Sequence, residues 1–86
     1  MQGRARIAWN LRRIRGRAGL SQESLAVDAD VDRTYISDIE RATFSASVNL
    51  LDKLASALGV DVSEFLRMPD EGEDAPRPLT PGRKAK

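Results

Sequence analysis

The sequence predicts an all-α domain of five short helices followed by a polar tail. Three observations carry this. Apolar residues recur at intervals of three and four, with no stretch alternating in the manner of a strand. A serine or aspartate stands just ahead of each of the last four apolar stripes, where it can cap a helix. Beyond Met68 the apolar pattern ends, and that segment holds all four prolines.

Ile7, Leu11, Ile14 and Ala18 fall on one stripe, so the first helix is expected from about Ala5 to Ala18, with Gly19 as its stop. Ser21 caps a second helix that turns Leu25 and Ala26 inward and ends near Ala29. Asp32 caps a third, with Ile36 and Ile39 inward, Arg33, Thr34, Ser37 and Asp38 on other faces, and Tyr35 between rim and core. Ser47 caps a fourth, whose stripe of Leu51, Leu54, Ala55 and Leu58 is closed by Gly59. Asp61 with Glu64 reads as a capping box, and Val60 with Phe65 as its hydrophobic staple, which starts a fifth helix running to about Arg67. Residues 1–68 are therefore expected to form the domain. The segment 69–86, "PDEGEDAPRPLTPGRKAK", is expected to be a disordered tail, because Leu79 is its only large apolar residue.

Composition narrows the function. Without cysteine or histidine the chain has no thiolate chemistry, no usual metal ligand and no side chain that ordinarily titrates near neutral pH. No catalytic residue, metal site or cofactor is expected, and an enzyme is the least favoured class. No Walker-type loop, dinucleotide fingerprint or internal repeat is present. Charges interrupt every apolar stretch far short of a membrane span, which makes the cytoplasm, in company with the nucleoid, the expected location. A core of fewer than about 70 residues is marginal alone, which favours a homodimer.

The net charge of +1 conceals a segregation. Residues 1–20 carry six arginines and no acid, whereas residues 21–41 carry six acids against Arg33 and Arg41. Such a division suggests that one face meets an anion. Two helices joined by a tight turn, here over about 22–41, can place the second in the major groove of double-stranded DNA.

The stretches "IAWNLRRIRGRAGLSQESLA", "VDRTYISDIER" and "SVNLLDKLASALGV" resemble the phage-repressor (Cro and XRE) helix-turn-helix family. That family takes in phage repressors, restriction-modification controller proteins and small bacterial regulators. The resemblance spans about residues 5–67 and implies a lambda-repressor-like domain that acts as a transcriptional regulator. Leu25, Val31, Ile36 and Ile39 match buried positions of the family, and Ala26 matches one that is small where the two helices approach. Arg15 and Glu40 match a pair that members commonly join by a salt bridge. Gln22, beside Ser21, matches a position that bonds a phosphate with the help of the helix N-terminus. Arg33, Thr34, Ser37 and Asp38 match positions that reach base edges. Their chemistry suits guanine, a thymine methyl and a cytosine amino group. Arg12, Arg13, Arg17 and Arg41 can neutralise phosphates beside the acidic segment, which predicts salt-dependent binding with modest non-specific affinity.

The chain departs from the family where Asp30 and Ala42 replace glycines and Ala46 replaces a proline, which puts the loop from Arg41 to Ser47 in question. Phe44 is expected to pack under the fourth helix, with exposure near the DNA backbone as the other reading. Trp9 lies off the first stripe and has two readings, packing against a later helix or contact with a partner. In controller-like members the last helix forms a twofold interface. Leu58, Val60, Val62, Phe65, Leu66 and Met68 would supply it here, setting two reading helices about 34 Å apart on a pseudo-palindromic operator near the protein's own gene. Two further readings stand beside an autoregulator. One is an antitoxin whose tail meets a toxin; the other is an adaptor that has kept the fold but binds a protein. A toxin or RNA polymerase is the protein partner to consider.

Overall fold

A computed structural model describes residues 2–68. The tail expected over 69–86 lies outside the described residues. The first four elements are α-helices: α1 (Gly3–Ala18), α2 (Gln22–Ala29), α3 (Arg33–Glu40) and α4 (Val48–Leu58). The fifth is a 3₁₀ turn, Val62–Leu66. No strand occurs among the described residues.

The helix starts are local chemistry. Ser21 accepts from the Ser24 N–H, Asp32 from Thr34, Ser47 from Leu50 and Asp61 from Ser63, each satisfying a backbone donor that the helix leaves unpaired. These bonds hold the carboxyls of Asp32 and Asp61 below the ordinary carboxylate pKa. The helix ends are equally local. Gly19 and Gly59 turn left-handed after α1 and α4, at φ 73° and 72°, as the cap geometry demands.

The core forms where the stripes converge. Leu11, Leu25, Ile36, Ile39, Leu54 and Phe65 are completely buried, at roughly 1.5–3 kcal/mol of hydrophobic stabilisation each. α1 lies against α3 and the 3₁₀ turn, while α2 lies against α3 and α4. The inward residues expected of α2, α3 and α4 are buried, except that Leu58 is only half so.

Several expectations require correction. The fifth element is not an α-helix. Its carbonyls are taken by side chains of α1: Asn10 donates to Phe65 and Arg67, and Arg6 to Leu66. No capping-box bond returns from Glu64, whose carboxylate instead lies 3.7 Å from Arg13. Ala18 is exposed, because the inward position of that last turn belongs to Arg15. Trp9 is buried at 3% exposure, with the guanidinium carbons of Arg13 and Arg67 5.3 and 5.4 Å from its ring centre, so it packs within the protomer. Phe65 is likewise internal and supports the terminal surface from beneath.

Both replaced glycines keep the backbone that glycine would favour. Asp30 is left-handed at φ 58° and Ala42 at φ 61°. Aspartate visits this region with little difficulty, whereas alanine there costs about 1–2 kcal/mol. Phe44, two residues on, packs against the core and meets the Tyr35 ring at 5.5 Å between centres. Ala42→Gly is therefore expected to raise the melting temperature by about 2–8 °C once the added freedom of the unfolded chain is subtracted. Calorimetry checks this, and an unchanged or lower value would mean that the turn carries no strain.

Candidate nucleic-acid interface

The site is assembled where the end of α1, the start of α2 and the exposed side of α3 meet. An open groove of about 720 Å³ lies there, lined by Arg12, Ser21, Gln22, Arg33, Ser37 and Arg41 among others. Four arginines line it against two glutamates, Glu23 and Glu40, so its charge is positive although the segment 21–41 is acidic. The groove takes in the N-terminus of α2, whose unpaired N–H groups favour an anion.

The groove floor is a buried ion pair. Arg15 donates to Glu40 through Nε at 2.6 Å and Nη2 at 2.9 Å, and its remaining nitrogen donates to the Leu20 carbonyl at 2.9 Å. Both side chains are almost wholly buried, and the paired fork is the geometry that best compensates two desolvated charges. It joins the last turn of α1 to the last residue of α3 and so fixes how α3 is presented.

Arg33 and Thr34 stand exposed in the first turn of α3, on the side carrying the groove in the case of Arg33, and Ser37 follows half-buried one turn later. Asp38 differs in being held by Arg41 in a charge pair, while its own carbonyl accepts from the Thr43 hydroxyl. Each therefore offsets the charge of the other. Arg12 lines the groove with its Nε buried and without a partner among the described residues. Arg17 is exposed outside the groove lining. Arg13 does not line the groove: it is held by Asn10, Glu64 and the Trp9 ring, beside the 3₁₀ turn.

Two contacts at the site escaped the sequence reading. Tyr35 is 45% exposed on α3, on the side facing Phe44. Gln22 donates from Nε2 to Glu40 at 3.0 Å, which links the start of α2 to the buried pair. No periodicity signals a contact between side chains eighteen residues apart on different helices.

This arrangement of a capped helix, a tight turn and a second helix with an exposed polar side over a positive groove defines a helix-turn-helix domain of the DNA-binding class. The helix-turn-helix family profile HTH_3 matches residues 11–65, and the chain belongs to that family. Among its relatives is the Neisseria hypothetical transcription factor of Neisseria meningitidis, 41% identical over 68 residues, which make up 79% of this chain and 64% of that protein. The crystal structure of that factor superposes with a TM-score of 0.77 at 40% identity, over 81% of this chain and 80% of the other. Control protein C.BamHI of Bacillus amyloliquefaciens is 46% identical over 57 residues, covering 65% of this chain and 70% of its own. The restriction-modification controller protein C.Esp1396I, solved as a tetramer in complex with its natural 35 base-pair operator, gives a TM-score of 0.68 at 28% identity, over 78% of this chain and 99% of that one. The chain thus spans a little under two thirds of the Neisseria relative.

Removing one partner from the floor of the groove leaves a charge buried without compensation. Glu40→Ala is expected to cost about 3–5 kcal/mol, far above an ordinary surface change. Denaturant melts of the variant beside an exposed control such as Glu23→Ala check this, and equal midpoints would contradict it.

Proposed function

We propose that the protein is a sequence-specific transcriptional regulator that binds double-stranded DNA as a homodimer on a pseudo-palindromic operator near its own gene. The observation that carries this reading is the groove itself, which gathers the α2 N-terminus, Arg12 and Arg33 beside the exposed start of α3. In the docked arrangement Ser21, Gln22 and Arg12 meet phosphates and set register, while Arg33 and Thr34 reach base edges. Ser37 lies one turn deeper and adds a shorter contact. Arg41 and Asp38 act as a pair, so that Asp38 accepts from a base only when Arg41 turns to the backbone. C.Esp1396I, a relative crystallised on its operator, supports the same use of the fold here.

The homodimer rests on the surface around the 3₁₀ turn. Leu66 and Met68 are about half exposed, and Leu58, Val60 and Val62 are half-buried beside them, which leaves an apolar area that one small core does not cover. A twofold contact there sets the two reading helices about one turn of DNA apart. A protein of this kind works in the cytoplasm at the nucleoid. No helix among the described residues is long and apolar enough to cross a membrane.

Fluorescence anisotropy across a salt series, comparing the duplex upstream of the gene with a shuffled duplex of equal composition, tests the reading. Preference for the upstream duplex and a steep fall with salt are expected, and Arg33→Ala should lose about 1–3 kcal/mol of that discrimination. Equal, salt-insensitive binding to both duplexes contradicts it, and absence of binding to either shifts the weight to a protein-binding adaptor. Sedimentation should give twice the 9.5 kDa of one chain, and Leu66→Asp should return the monomer. A monomeric wild type at micromolar concentration would remove the dimer from the proposal.

A further inference from the structure

The bond from Gln22 to Glu40 gives the buried pair a second consequence. Glu40 Oε1 accepts from both Arg15 Nη2, at 2.9 Å, and Gln22 Nε2, at 3.0 Å. Its other oxygen is held by Arg15 Nε, so the carboxylate has no freedom to turn. A side-chain amide carries two donors in one plane. With one directed at an immobile oxygen, the plane is fixed and the second N–H points in a set direction. Gln22 is half-buried, is the first residue of α2 and lines the groove. An unrestrained glutamine would lose rotamer freedom on binding, whereas this one has already lost much of it on folding.

We infer that Glu40 is a positioning residue for Gln22: the Arg15–Glu40 pair fixes the direction in which Gln22 presents its second amide N–H to a DNA phosphate. This role rests on the DNA-binding reading of the groove. It makes the pair an element of affinity as well as of stability. A carboxylate is needed to hold both, because an amide at position 40 would set its NH₂ against an Arg15 N–H in either orientation and loosen the pair that holds Gln22.

The test separates the two roles. Affinity for a mixed-sequence duplex at low salt is measured well below the melting transition for wild type, Gln22→Ala, Glu40→Gln and the double variant, with a thermal melt of each. Gln22→Ala is expected to weaken binding about tenfold, the loss of one hydrogen bond to a charged group. Glu40→Gln should weaken it by a similar factor, and the double variant should bind no worse than Gln22→Ala alone. The drop in melting temperature from Glu40→Gln should persist in the Gln22→Ala background, reduced only by the bond that Gln22 no longer supplies. Losses of affinity that multiply in the double variant overturn the positioning role. Where Glu40→Gln fails to fold, NMR of the free wild-type protein decides. One side-chain amide proton of Gln22 should be shifted and slow to exchange relative to exposed Gln2, the only other glutamine. Equivalence of the two glutamines overturns the inference without any DNA being present. A wild type that binds no duplex overturns the reading of the groove, and this use of Glu40 with it.

Discussion

The bidentate contact between Arg15 and Glu40 holds the arrangement of helices together at the point where function is proposed. α1 and α3 share a hydrophobic contact through residues such as Leu11, Ile14 and Ile36, but apolar contact is non-directional and leaves rotation about it inexpensive. A planar guanidinium facing a carboxylate has one good geometry. Placed between the last turns of both helices, it fixes the rotation of α3 and so the direction in which Arg33 and Thr34 project. The Leu20 carbonyl, taken by the same guanidinium, ties in the turn leading to α2.

The same pair explains how an acidic stretch can lie on an anion-binding face. Of the six acids in residues 21–41, Glu40 is neutralised by Arg15, Asp38 by Arg41, and Asp32 is committed to the α3 cap. Asp28 and Asp30 are exposed but do not line the groove, which leaves Glu23 as its only acid outside an ion pair. A local sum over sequence overstates the negative charge that a phosphate would meet, because it ignores arginines delivered from α1. The acids that remain outside the groove would repel a duplex approaching in the wrong orientation.

Most of the fold was legible because its signals are local. Caps at Ser21, Asp32, Ser47 and Asp61 and stops at Gly19 and Gly59 depend on neighbours within a few residues, and the inward faces follow from helical period. What escaped depends on contacts distant in sequence. The final element is a 3₁₀ turn whose closing carbonyls are taken by Asn10 and Arg6, more than fifty residues away. Arg13 belongs to Trp9 and Glu64 because of where that turn packs, and nothing in the arginine-rich run distinguishes it from Arg12. Within the site, the exposed residues of α3 could be read from period alone. The Arg15–Glu40 pairing came from resemblance, and the extension to Gln22 emerged only from the assembled structure.

In the proposed mode of binding, DNA is met by one particular face. The most direct measurement is to titrate a duplex into isotopically labelled protein and map which backbone amides shift. Perturbations are expected to concentrate at Ser21 to Glu23, at Arg33 to Ser37 and around Arg12 and Arg41, with the Trp9, Arg13 and Glu64 side unaffected. Shifts centred on the Trp9, Arg13 and Glu64 side, or spread evenly over the surface, would contradict this mode of binding.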